Sequence, residues 1–246
     1  MRYDLIIENA NIISMAQKQE NCSWIAVKDG MIAEMGSGRH EGNADKIIDA
    51  AGNTVLPGLT DCHVHVLNAG INLNGVDLQE CSTIKEVLKV LQKRCTQEPG
   101  DGWVYGVNYV PQNIKEDRYP TRWELDEICG EHKVVIFAAT LHGCAVNSKG
   151  KDVAQVPGHL PGVEREGNKI SGVYSSDESS FLATANILGS LSDDELWKFI
   201  EDCANHAAKK GVTTIHGLFG QFVRNDRDMD LILDRRDSLC IDIVPF

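Results

Sequence analysis

Apolar and polar positions alternate in short runs over the first fifty residues. Asp4–Glu8, Asn11–Ser14, Trp24–Lys28, Met31–Met35 and Lys46–Asp49 each read as a strand, with Asn9–Asn11, Asp29-Gly30 and Gly36–Gly38 as turns. The clearest signal is Ile25–Glu34, where Asp29-Gly30 is a favoured two-residue hairpin turn. The pattern predicts a small antiparallel β module over 1–56.

After Val55 the texture changes, and strand-like and helix-like segments alternate. Thr54–Leu59 reads as an apolar strand. Thr83–Lys93 reads as an amphipathic helix with Ile84, Val87, Leu88 and Leu91 on one face and a Thr83-x-x-Glu86 capping box. Trp103–Val107 reads as a strand, and Thr121-x-x-Glu124 caps a short helix ending near Cys129-Gly130. Val134–Ala139 is continuously apolar, as in a strand covered on both faces. Gly150–Gly172, with its glycines, prolines and charges, reads as a long loop. Ser192-x-x-Glu195 caps a helix to Lys210, stopped by Gly211. Val212–Ile215 then reads as a strand, Asp226–Arg236 as a helix and Leu239–Val244 as a strand.

This alternation predicts an α/β fold with a mainly parallel sheet. The residues from 57 to 246 fall short of the roughly 250 that an eight-fold barrel takes. About four or five suitable strands are visible. If the architecture is a (β/α)8 barrel, 57–246 holds its first half, an incomplete barrel. Such a half exposes sheet edges that invite pairing, with a second copy of the chain or with a complementing C-terminal half.

Composition narrows the classes. The 246 residues are 42% hydrophobic and 24% charged, ordinary for a globular protein. The net charge of −12 disfavours phosphate backbones and anionic lipid, so neither nucleic acid nor membrane is an expected partner. No apolar run approaches the ~20 residues of a membrane helix, and charges interrupt the N-terminal residues where a signal peptide would be apolar. A cytoplasmic protein is expected. None of the eight cysteines forms a Cys-x-x-Cys pair, which disfavours a structural zinc knuckle, and in a reducing compartment they are expected to stay as free thiols.

The sharpest chemistry lies in Val55-Leu-Pro-Gly-Leu-Thr-Asp-Cys-His-Val-His-Val66. In an extended chain, residues two apart point to one side, so His63 and His65 can reach a single ion. Asp61 shares that parity and could orient an imidazole or sit beside the metal. A bare His-x-His pair is a weak signal. Its place just past an apolar strand, where active sites of parallel α/β proteins gather, strengthens it. His142 follows the apolar strand Val134–Ala139 and fits either a substrate contact at the same rim or a strand-end histidine bonded to backbone. His216 ends the strand Val212–Ile215, where a contact at that rim competes with a packed, hydrogen-bonded role. Trp103, Tyr105, Tyr109, Trp123 and Phe137 could line a pocket, although aromatics at such spacings are more often core. The sequence has no Gly-x-Gly-x-x-Gly after a strand, no Walker lysine motif and no Gly-x-Ser-x-Gly elbow.

Thr54-Val-Leu-Pro-Gly-Leu-Thr-Asp-Cys-His-Val-His closely resembles the first barrel strand of the amidohydrolase superfamily. Gly102-Trp-Val-Tyr-Gly, Pro120-Thr-Arg-Trp-Glu-Leu-Asp, Leu141-His-Gly-Cys-Ala-Val-Asn-Ser and Gly211-Val-Thr-Thr-Ile-His are similar to the branch containing N-substituted formamide deformylases. The resemblance implies a (β/α)8 barrel with one or two divalent metals, commonly zinc, and a metal-bound water that attacks a small amide-type substrate at a non-peptide carbon–nitrogen bond. It implies His63 and His65 as metal ligands and a substrate contact at His142. It also implies further ligands and a proton-accepting aspartate from later strands, which no segment here matches. A truncated or split hydrolase, inactive or active only with a complementing chain, is the alternative expectation.

Overall fold

In the computed structural model, which describes residues 2–16, 21–97, 100–220, 223 and 226–246, the opening alternation becomes a run of short strands. They are β1 (Arg2–Glu8), β2 (Asn11–Ile12), β3 (Trp24–Lys28), β4 (Met31–Gly36), β5 (Asn43–Asp49) and β6 (Thr54–Val55). Asp29 and Gly30 both take positive φ, 52° and 75°, so the Asp-Gly turn closes the β3–β4 hairpin as its residue types demand. The four-stranded sheet runs β4-β3-β1-β5. Tyr3, Ile6 and Ala26 form one small core, and Ile12, Cys22 and Ile25 another.

This module is not purely antiparallel. β1 pairs with β5 in parallel, as β2 does with β6. A two-residue turn forces antiparallel pairing. The chain between β1 and β5 is long enough to cross back and enter in the same direction.

The chain divides into two compact units, Met1–Leu59 and Thr60–Phe246. The second contains β7 (Leu59–His65, starting at the division), α1 (Val66–Asn74), β8 (Val76–Asp77), α2 (Ile84–Gln97), β9 (Trp103–Tyr109), α3 (Arg122–Cys129), β10 (Lys133–Ala138) and β11 (Cys144–Val146). It continues with α4 (Ser148–Ala154), β12 (Val163–Glu166), β13 (Lys169–Tyr174), α5 (Asp177–Gly189), α6 (Asp193–Lys209), β14 (Val212–Leu218), α7 (Arg227–Arg235) and β15 (Asp242–Pro245). The fold is mixed α/β.

The strands of this unit form two sheets. One has the order β12-β13-β11-β10-β9-β8, the other β15-β14-β7. β8, β9 and β10 are parallel, whereas β11, β13 and β12 are antiparallel. Trp103–Val107 and Val134–Ala139 thus lie in the six-stranded sheet, whereas the histidine strand lies in the three-stranded one. The described strands form no closed barrel. Strand periodicity reports which faces are covered, not which sheet a strand joins. Val134 and Ile136 pack with Val87, Leu91 and Leu125 of α2 and α3. Val135 and Phe137 point the other way, into a core shared with Ile187 of α5, Ile200 of α6 and Ile215 of β14. Both faces are therefore apolar, as the continuous run required.

Further differences have local causes. Gly150–Gly172 is not one loop: it holds the end of α4, all of β12 and part of β13. β12 is largely exposed, so its charges hid the pairing. α5 buries Ser179, Ser180 and Thr184 alongside Ala183, Ile187 and Leu188, a face without an unbroken apolar stripe. The Thr121/Glu124 and Ser192/Glu195 capping boxes are both formed. At α2 the box is split: Thr83 Oγ1 accepts from the Glu86 amide at 3.2 Å, but the Glu86 carboxylate accepts from the Ser82 amide at 2.8 Å.

Not all cysteines are free. Cys95 in α2 and Cys129 in α3 form a disulfide with Cα atoms 5.8 Å apart. Their spacing of 34 residues carries no sign of it; the packing of the two helices creates it. No helix among the described residues is long and apolar enough to cross a membrane.

Candidate active site

β7 carries the histidine pair. Val64 packs against the core, so His63 and His65 project from the opposite side of the strand. Their rings stand edge to face, centroids 5.4 Å apart and planes at 77°. With metal–nitrogen bonds of about 2.0–2.1 Å and near-tetrahedral angles, two imidazoles on one ion place their centroids roughly 5 Å apart. The observed separation is close to that value. His63 is exposed and His65 half-buried. Among the described residues no group of three or more His, Cys, Asp or Glu is gathered in a way that could hold a metal ion.

Asp61 Oδ1 accepts the backbone N–H of His63 at 3.2 Å and makes no bond to an imidazole nitrogen. It also borders a groove with Val64, Ala69, Cys203, His206 and Ala207. Burial, and then the Asp61 charge, pushes the Cys203 thiol up to about 11. Cys203 therefore stays a protonated thiol, not a nucleophile.

His216 lies on β14, the strand next to β7. Ile215 is buried in the core, so the half-buried His216 projects from the other face, its ring 6.4 Å from that of Phe246.

His142 lies in the bend after β10, at the end of the six-stranded sheet. The strand it follows thus belongs to a different sheet from the one that carries His63 and His65. Its Nδ1 is 2.7 Å from Asp177 Oδ1 at the start of α5, and both side chains are 60% exposed. It borders a pocket of about 410 Å³ with Tyr109, Asp117, Arg118, Tyr119 and Glu164. Of the aromatics singled out from sequence, Tyr109 borders this pocket, whereas Tyr105 and Phe137 pack into the core. Arg118, Tyr119, Glu164 and Asp177 carried no motif; they come from separate elements that only folding gathers.

Arg118 is held by Glu124 through two 2.8 Å bonds, Nη1 to Oε2 and Nη2 to Oε1. That pairing, reinforced by Thr121 and opposed by partial burial, holds the Glu124 carboxyl down at about 2. Burial raises the Tyr109 and Tyr119 phenols well above their ordinary range, so both remain neutral.

The chain is 32% identical over 197 residues to the N-substituted formamide deformylase of Arthrobacter pascens, covering 77% of this chain and 36% of that protein. It is 24% identical over 157 residues to a putative amidohydrolase of Bacillus subtilis, covering 61% and 29%. Its fold matches an uncharacterized metal-dependent hydrolase from Pyrococcus horikoshii, with a TM-score of 0.77 at 20% identity over 98% of this chain and 48% of that one. A counterpart from Pyrococcus furiosus gives 0.75 at 18% identity, over 98% and 49%. The chain thus spans about a third of these curated relatives and about half of these solved structures. The model of the amidohydrolase family matches residues 46–238, and this chain belongs to that family.

Proposed function

We propose that this chain carries the first-strand metal ligands of a hydrolase of small, non-peptide amides. The observation that supports it is the 5.4 Å edge-to-face pair of His63 and His65, on the strand that resembles the family's metal-binding strand. In this reading β7, β14 and β15 are an arc of the (β/α)8 barrel, with residues 57–246 as its first half. When bound, a divalent ion, zinc in this proposal, supplies a Lewis acid and a water of lowered pKa for attack on the amide carbonyl. His63 and His65 would hold it. Asp61 stiffens the strand by accepting the His63 amide, and so fixes where the first imidazole stands. His216, on the adjacent strand, is assigned to substrate.

A two-histidine site lacks the three protein ligands usual for catalytic zinc. The chain spans about a third of its curated relatives, and in a second reading turnover needs a complementing chain.

Zinc titration against a chromophoric chelator tests the proposal, with His63→Ala and His65→Ala as variants and circular dichroism to verify folding. Wild type should take up one zinc, and each variant should bind at least tenfold more weakly. Equal binding by folded variants would refute the assignment. Hydrolysis of N-formyl amines, with and without an added C-terminal half from a relative, then separates the two readings.

A further inference from the structure

The pocket beside His142 has a chemistry of its own. Its wall includes Tyr109, which is fully buried, and Tyr119, with ring centroids 5.1 Å apart and planes tilted by 38°. The Tyr109 hydroxyl donates to the Arg118 carbonyl, which fixes that ring. Tyr119 is seated over Gly143: a Cβ there would stand 2.5 Å from its hydroxyl oxygen. The wall is therefore built and rigid. Both phenols stay neutral, and the half-buried Tyr119 ring, unlike the fully buried Tyr109, offers the pocket a π-face without charge.

The charge at the pocket is one-sided. Arg118 is the cation among its lining residues, and Glu124 already neutralises it. Asp117 and Glu164 also line it, and among the described residues no ion pair or side-chain hydrogen bond takes up either carboxylate. His142 is tied through Nδ1 to Asp177, leaving Nε2 for a ligand. Neutral aromatic faces beside unpaired carboxylates favour a cation and disfavour an anion. At about 410 Å³ the pocket is within the range of small-molecule sites.

We propose that this pocket binds an organic ammonium ion with an aromatic body, its charge facing Glu164 and Asp117 and its body against Tyr119. None of its lining residues comes from β7 or β14. The site is thus independent of the histidine pair, and metal-free protein can test it.

The experiment is calorimetric titration of the full chain, with chelator present and at low salt, using phenethylammonium, 2-phenylethanol and phenylacetate. The ammonium ion should saturate one site at least tenfold more tightly than the alcohol, and phenylacetate should not bind. Glu164→Gln should weaken the ammonium ion at least fivefold and leave the alcohol unchanged. Glu80→Gln, which removes an equal charge outside the pocket, should change nothing. Absence of saturable ammonium binding, equal affinity for the alcohol, or equal weakening by the two substitutions would overturn the proposal.

Discussion

Gly70 of α1 lies against the backbone of Phe199 in α6, so close that a Cβ on residue 70 would overlap the Phe199 carbonyl group. This contact seats α1, which begins immediately after His65. The obstacle is backbone rather than a flexible side-chain tip, so relief requires the two helices to separate. Gly70→Ala should lower unfolding free energy by about 1–3 kcal/mol, the usual cost of overpacking. That outweighs the roughly 1 kcal/mol that alanine gains in helix propensity. Chemical denaturation measures it, and a higher midpoint would contradict the close crossing.

The Cys95–Cys129 bridge ties the C-terminal ends of α2 and α3 together. Reduction, or the double substitution Cys95→Ala with Cys129→Ala, should cost about 3–4 kcal/mol for a loop of this length. Alkylation of unfolded, unreduced protein should label six of the eight cysteines, and all eight after reduction. Eight labelled cysteines without reductant would show that the bridge is absent.

Glu124 predicts an acid limb in stability. Its carboxyl is held down at about 2 in the folded state, chiefly by Arg118, so folding favours the charged form. The contribution is complete above the ordinary carboxylate range near 4.5 and is lost as pH falls towards 2. Melting temperature should therefore fall more steeply between pH 4.5 and 2 in wild type than in Glu124→Gln. Parallel curves would remove Glu124 from the explanation.

Ser192 caps α6 by accepting the Glu195 amide at 3.2 Å, while Glu195 accepts the Ser192 amide at 2.8 Å. Ser192→Ala should cost about 1 kcal/mol, and Ser192→Asp should recover most of it. α6 supplies Leu196, Phe199 and Ile200 to the main core, so the loss should appear in global unfolding rather than as local fraying. An unchanged alanine variant would mean that the cap is dispensable.

Local chemistry was legible along the chain. Asp29-Gly30 specified its hairpin, Thr121/Glu124 and Ser192/Glu195 specified their helix starts, and the strand period put His63 and His65 on one side of β7. Asp61 was only half legible. Its parity matches the histidines, but its carboxylate turns to the His63 amide, because a short acidic side chain reaches its own backbone two residues on. α1 was missed because Val66–Asn74 mixes β-branched residues, asparagines and a glycine, and its helicity follows from packing on α6.

The order of residues determined, through interactions spanning two to four positions, where strands turn, where helices start and which imidazoles share one side of a strand. Tertiary structure alone decided that β9 and β10 leave the histidine strand for a second sheet, that Cys95 meets Cys129, and that His142, Tyr119 and Glu164 surround one pocket. The reason is physical. Turns, caps and pleat are written in bonds between near neighbours, whereas the partner of a doubly buried strand is chosen by side-chain packing among elements far apart in sequence.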